Sequence, residues 1–197
     1  NSEGLHMPPR SGERKTQILQ LIAQMLENPK GEKITTAAMA KKLDVSEAAL
    51  YRHFASKAQM FEGLIEFIES SLLGLINKIT AEETVGLKQI QAIMLMMLRF
   101  AQQNPGMTRV LIGDALVNED ERLQVRINAL TDKLEAALKQ SLRVALTQAE
   151  LPESLDVAAQ ANLLMCFVTG RWHQFAKSGF KKNPVDGFDK QLPLMIG

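Results

Sequence analysis

Residues 35–54, TTAAMAKKLDVSEAALYRHF, leave the chain few options. Thr35 or Thr36 is placed to cap a short helix running to Leu43. A hydroxyl at a helix start accepts one of the backbone N–H groups left without a partner there. Ser46 does the same for a second helix, Glu47 to Phe54. Between them, Leu43-Asp44-Val45 has room only for a tight turn. Asp44 stands where that turn needs a positive φ, which Asp tolerates better than most residues. Ala40 falls where crossing helices come closest, so a small side chain is required there. Met39, Leu43, Val45 and Leu50 point inward and fix the crossing. Two short helices at about a right angle form a helix-turn-helix, whose second helix enters the major groove of DNA.

The outward face of that second helix reads Ser46, Glu47, Ala48, Ala49, Tyr51, Arg52 and His53. Ala48 and Ala49 let the helix sit deep and can touch thymine methyls. Glu47 either accepts from cytosine N4 or favours the helix start through the dipole. Tyr51 and His53 suit phosphates better than bases, or else pack against the first helix. Arg52 faces groove or solvent. Thr35, Thr36 and Lys57 stand at helix starts that meet phosphate, where backbone N–H groups already favour an anion. Thr36 is equally a plain cap.

Helical spacing continues on both sides. A first helix spans about Glu13 to Glu27, stopped by Asn28-Pro29-Lys30-Gly31. Residues 1–12 read as a disordered tail, with Pro8 and Pro9 barring a helix. Ser56, with Gln59 in a capping box, opens a long fourth helix over Lys57 to Ile79. A fifth runs from about Val85 to Gln103, and a short sixth lies near Thr108 to Leu116. A seventh spans Asp120 to Thr147 and an eighth Leu155 to Lys177, with Gly179 as its C-cap. The tail 181–197 has room for one last turn. Alternating strand patterns are absent, so the fold is all-α. A helix-turn-helix head over 13–56 joins a larger helical dimerisation and partner-binding domain over 57–197.

Charge follows that division. Residues 1–60 hold nine Lys/Arg against six Asp/Glu, and the remainder fourteen against sixteen. A basic front and an acidic rear suit a DNA-reading head on a body that faces something else. The single cysteine, Cys166, lies in an apolar run and reads as core filler in a reducing cytoplasm. No stretch is long and apolar enough to span a membrane, and no secretory signal is visible. His53 and His173 lack a catalytic partner at helical spacing, and neither a zinc cluster nor a phosphate-binding glycine loop is present. The chain reads as no enzyme, with no cofactor and no metal.

One recognition helix makes too few contacts to hold a specific site, so a homodimer on double-stranded DNA with palindromic half-sites is expected. The seam falls to the seventh and eighth helices. The seventh offers Leu123, Ile127, Leu130, Leu134, Ala137, Leu138 and Leu142. The eighth offers Leu163, Leu164, Phe167, Val168, Trp172 and Phe175.

The stretch TTAAMAKKLDVSEAALYRHFASKAQMF resembles the DNA-binding head of the tetracycline-repressor-type family. The usual form has Gly near Asp44 and Gly-Thr in place of Ala48-Ala49. SEAALYRHF as written is similar to the nucleoid-occlusion branch of that family, as are GLIEFIE (63–69), NPGMTR (104–109) and ERLQVRIN (121–128). The resemblance covers most of 14–149, and 151–197 matches only loosely. It implies a nucleoid-associated cytoplasmic dimer that, once on DNA, engages the C-terminal tail of the tubulin-like cell division protein FtsZ and blocks ring assembly over the chromosome.

The resemblance further implies a tail-binding groove between the fourth and fifth helices, at Phe67, Leu75, Met96, Arg99, Gln103 and Asn104. Phe67 and Asn104 keep the branch's pattern. Leu75 and Gln103 replace expected arginines, and Arg99 replaces an expected glycine. Arg99 either restores a cation for an acidic peptide or blocks its approach. The alternative is a ligand-responsive repressor. Its cavity would be lined by Met94, Phe100, Met107, Met165, Phe167 and Trp172, with Arg109, Asp114 or His173 as polar handles.

Overall fold

The computed structural model describes residues 10–28 and 34–196. Glu13 Oε2 accepts the Arg10 backbone N–H at 3.2 Å, so the first helix, α1 (Ser11–Leu26), begins earlier than expected and takes in Gly12. The stop residues Pro29 to Gly31 lie outside the described residues. Helix α2 (Thr36–Leu43) is capped by Thr35, whose hydroxyl accepts from Ala38 N–H at 3.0 Å. Helix α3 (Glu47–His53) is capped by Ser46, accepting from Ala49 N–H at 3.1 Å.

Helix α4 (Lys57–Glu82) is three residues longer than expected. Ser56 accepts from Gln59 N–H at 3.1 Å, and Gln59 Oε1 accepts in turn from Ala55 N–H, one residue before the cap. The expected capping box thus reaches back a residue further. Helices α5 (Gly86–Gln103) and α6 (Pro105–Leu111) follow. The sixth helix was expected from Thr108. It starts at Pro105, because proline at a first helical position loses no needed hydrogen bond and arrives with φ preset. A 3-10 turn (Asp114–Leu116) then leads to α7 (Glu121–Thr147), capped by Asp120. Helix α8 (Val157–Lys177) is capped by Asp156, so Leu155 lies outside it. Gly179, at φ +65°, follows it. Helix α9 (Phe188–Ile196) is nine residues long, where only a turn was expected, and Phe188 anchors it against Phe167 at 6.1 Å between ring centres.

The core is continuous from head to body. Ile18, Ile22, Met39 and Leu50 belong to the same buried cluster as Leu64, Ile90, Leu134 and Trp172. Buried Trp172 donates its indole N–H to the Met97 carbonyl at 3.0 Å, tying α8 to α5. Buried Ser141 donates to Gln89 Oε1 at 3.0 Å, so both polar groups inside the α5–α7 seam are satisfied.

Two glycines set how closely helices approach. A Cβ on Gly86 would lie 2.4 Å from the Ala145 backbone nitrogen of α7. One on Gly106 would lie 2.0 Å from the Ala23 carbonyl oxygen of α1. The free N–H groups at the start of α5 are met from far along the chain. Gln148 Oε1 accepts from Gly86 N–H at 2.8 Å and Glu150 Oε1 from Leu87 N–H at 3.2 Å.

Candidate nucleic-acid interface and the groove behind it

The α2–α3 turn is built as the sequence requires. Asp44 has φ 55° and ψ 48°. Val45 N–H reaches Ala40 O at 3.0 Å and Asp44 N–H reaches Lys41 O at 3.3 Å, a paired closure of the helix end that needs a left-handed residue. Ala40, Met39 and Leu50 are buried at the crossing, with Leu43 and Val45 packed on its edge. This fixes α3 with its other face outward. Ala48 is exposed and Ala49 half-buried, so neither is sealed inside.

The polar candidates divide into two groups. Tyr51 donates from its hydroxyl to Thr36 Oγ1 at 3.3 Å, and Thr36 donates to Glu47 Oε1 at 3.3 Å. Thr36, Glu47 and Tyr51 therefore brace the start of α2 against α3. Thr35 and Ser46 spend their oxygens as caps while remaining exposed. Arg52 is exposed, as are Lys41 and Lys42 in the last turn of α2, two cations that a helical-wheel reading of the head would have added. His53 is half-buried, and its Nδ1 has no hydrogen-bond partner among the described residues. Lys57, the first residue of α4, holds its Nζ 2.7 Å from Glu119 Oε1 and 5.9 Å from the Phe61 ring centre. Glu119, 62 residues away, gave no signal in the sequence.

Behind the head, α4 and α5 bound an open groove of about 330 Å³. Leu75, Met96, Arg99 and Gln103 line it together with Ala92, Leu95 and Phe100. Phe67, 49% exposed, stands two turns earlier on α4 than Leu75, 41% exposed. Asn104 is set apart by its chemistry: its side-chain amide donates to Phe100 O at 2.9 Å and closes the end of α5. Ala92, Met96, Arg99 and Gln103 recur at helical spacing, so a wheel of α5 would have recovered Ala92.

Residues 84–197 match the SlmA-like family model described as a tetracyclin repressor-like C-terminal domain. Residues 32–64 match the model for bacterial regulatory proteins of the tetR family. A nucleoid occlusion factor SlmA of Marinomonas sp. (strain MWYL1) is 49% identical over 189 residues, 96% of each chain. Another, from Shewanella oneidensis, is 52% identical over 178 residues, 90% of each. This chain belongs to the SlmA-like family of nucleoid occlusion factors. A TetR-family transcriptional regulator from Agrobacterium tumefaciens has the same fold, with a TM-score of 0.79 at 15% identity over 95% of this chain and 99% of that one. The SlmA-like family is one of non-catalytic DNA-binding regulators, in keeping with the absence of catalytic spacing in the sequence.

In this SlmA-like chain the residues expected to line a ligand cavity are spent on packing. Met94, Met107, Met165, Trp172 and Phe100 belong to the buried core, while Phe167 lies between Phe188 and Arg171 on the α8–α9 side. Two of the polar handles, Arg109 and Asp114, pair with each other. Arg109 donates to Asp114 Oδ2 and to Leu26 O, each at 3.0 Å, and Lys177 also bonds Asp114. The Lys177 bond, aided by Arg109 against the effect of burial, holds the Asp114 carboxyl below the usual carboxylate range. His173 lines a separate open groove of about 400 Å³ with Cys166, Gln124 and Asn128.

Cys166 corrects an expectation. It is exposed, with Sγ 3.7 Å from Asn162 Oδ1. The apolar run Leu163 to Val168 encircles α8, while the core takes only one side of it: Leu164, Met165 and Val168 are buried, and Leu163 is 50% exposed. Likewise Leu123, Ile127, Leu130, Leu134, Leu138 and Leu142 of α7 all serve the core. Among the described residues no helix is long and apolar enough to cross a membrane.

Proposed function

We propose that this nucleoid occlusion factor acts as a DNA-activated dimer: α3 reads palindromic chromosomal sites, and the α4–α5 groove takes the C-terminal tail of FtsZ. Residues 13–56 serve as the reading head and 57–197 as the dimerising, partner-binding body, and the protein works in the cytoplasm on the nucleoid. The observation that carries this reading is the open groove joining Leu75 of α4 with Met96, Arg99 and Gln103 of α5. It offers an apolar floor with one exposed cation, a chemistry suited to an extended peptide with apolar and acidic residues. Arg99 supplies positive charge where Leu75 and Gln103 supply none.

The head supports the DNA half of the reading. Ala48 faces outward at the start of α3, and Arg52, Lys41 and Lys42 are exposed around it. For the dimer, Leu163, Cys166 and Gly170 on α8 and Val125 on α7 remain exposed once the core is filled, leaving a face for a second copy. The test is fluorescence anisotropy with a labelled FtsZ tail peptide, with and without site DNA. Binding that rises when DNA is added supports the reading. A peptide that ignores the protein in both conditions overturns the groove assignment.

A further inference from the structure

The joint between α6 and α7 is tied to the first residue of α4, and α6 itself to the end of α1. Glu119 accepts from Lys57 at the first residue of α4, with the two side chains only 19% and 24% exposed. Asp114 fixes Arg109, whose guanidinium also donates to the last carbonyl of α1, at Leu26. Two left-handed residues shape the joint. Gly113 and Asn118 both have positive φ, +82° and +67°, and flank the short 3-10 turn. It continues into α6, whose N-cap Asn104 adjoins Gln103 at one end of the α4–α5 groove.

An ammonium group that meets a carboxylate in the free protein and a phosphate on DNA has two alternative anions. We propose that Glu119 competes with DNA phosphate for Lys57: the joint holds the lysine in the free protein, and the duplex draws it away and releases the joint. The inference rests on reading Lys57 as a phosphate contact. Glu119 then restrains DNA affinity, and by linkage a ligand that changes DNA affinity through the joint has its own affinity changed by DNA by the same factor.

Four full-length proteins decide it: the parent, Lys57→Ala, Glu119→Gln and the double variant. Binding is read by anisotropy on a labelled random-sequence duplex at low salt, where phosphate contacts dominate. Glu119→Gln is expected to bind about 1.5-fold to fivefold tighter, the scale of a surface ion pair. Lys57→Ala binds more weakly, with a salt dependence shallower by about one ion. In the Lys57→Ala background, Glu119→Gln brings no gain. An equal gain in both backgrounds would mean that only a repelling charge had been removed, and would overturn the competition. No gain from Glu119→Gln, with Lys57→Ala still weakened, overturns the competition but keeps the phosphate contact. Parent-like binding by Lys57→Ala overturns the contact itself. Circular dichroism confirms folding, and Glu119→Ala repeats the arm if the glutamine variant does not fold.

Discussion

Replacing Gly106 by alanine should destabilise the protein far more than a single methyl suggests. The added Cβ would sit 2.0 Å from the Ala23 carbonyl oxygen, an atom of the α1 backbone that no rotamer change can move. Restoring ordinary contact requires α6 and α1 to part by roughly 1 Å or more. Overpacking of that kind costs about 1–3 kcal/mol. The same separation stretches the bond from Arg109 to Leu26 O, now 3.0 Å, and a charged hydrogen bond carries about 1.5–3 kcal/mol. Taking partial loss of the second, the sum is about 2–4 kcal/mol. For a chain of this size that lowers Tm by roughly 4–16 °C. Gly74→Ala is the control. It sits inside α4 with nothing within 4 Å of its added Cβ, so it should gain about 0.5–1 kcal/mol from helix propensity alone. Thermal and urea melts at one fixed protein concentration read both variants. Two melts of the same sign, or an unchanged Gly106→Ala, would refute the close-approach argument.

Ala48→Glu should abolish binding to site DNA while leaving the melting curve near that of the parent, since Ala48 is exposed; retained site binding would remove α3 from the recognition role. Arg99→Ala should weaken the FtsZ tail peptide by about 1.5-fold to fivefold, the scale of one exposed charge contact, in the same anisotropy assay. Unchanged affinity would take Arg99 out of the groove's chemistry. Asp114, held below its usual pKa by Lys177 and Arg109, contributes stability that is fully present above the unfolded value of about 3.9 and is lost as pH falls through its folded value. The stability gap between the parent and Asp114→Asn, from urea melts, should therefore stay level from pH 7 to pH 5 and shrink toward pH 3. A gap that widens on acidification would contradict that sign.

What was legible in the sequence is what local chemistry decides. Thr35, Ser46 and Ser56 each cap the helix they precede, because a cap depends on neighbours three residues away. Asp44 announced its left-handed backbone by its place between two apolar helix ends. The features that escaped depend on partners distant in the chain. Gly86 reads as an ordinary helix start and Gly106 as part of a helix break until Ala145 and Ala23 arrive beside them. The cap of α5 is completed by Gln148 and Glu150, and the lysine that opens α4 by Glu119. Cys166 was misread because an apolar run around a helix does not say which side the core will take.

The length of α4 has a consequence of its own. Eighteen residues separate Lys57 from Leu75 on one unbroken helix, which is about 27 Å of rise. Mobile ions damp bare charge over about 8 Å at physiological strength. A charge held at Leu75 would thus stand more than three such lengths along the helix from a phosphate met at Lys57. On the proposed reading, α4 would serve as a stand-off between the duplex and a peptide held at Leu75.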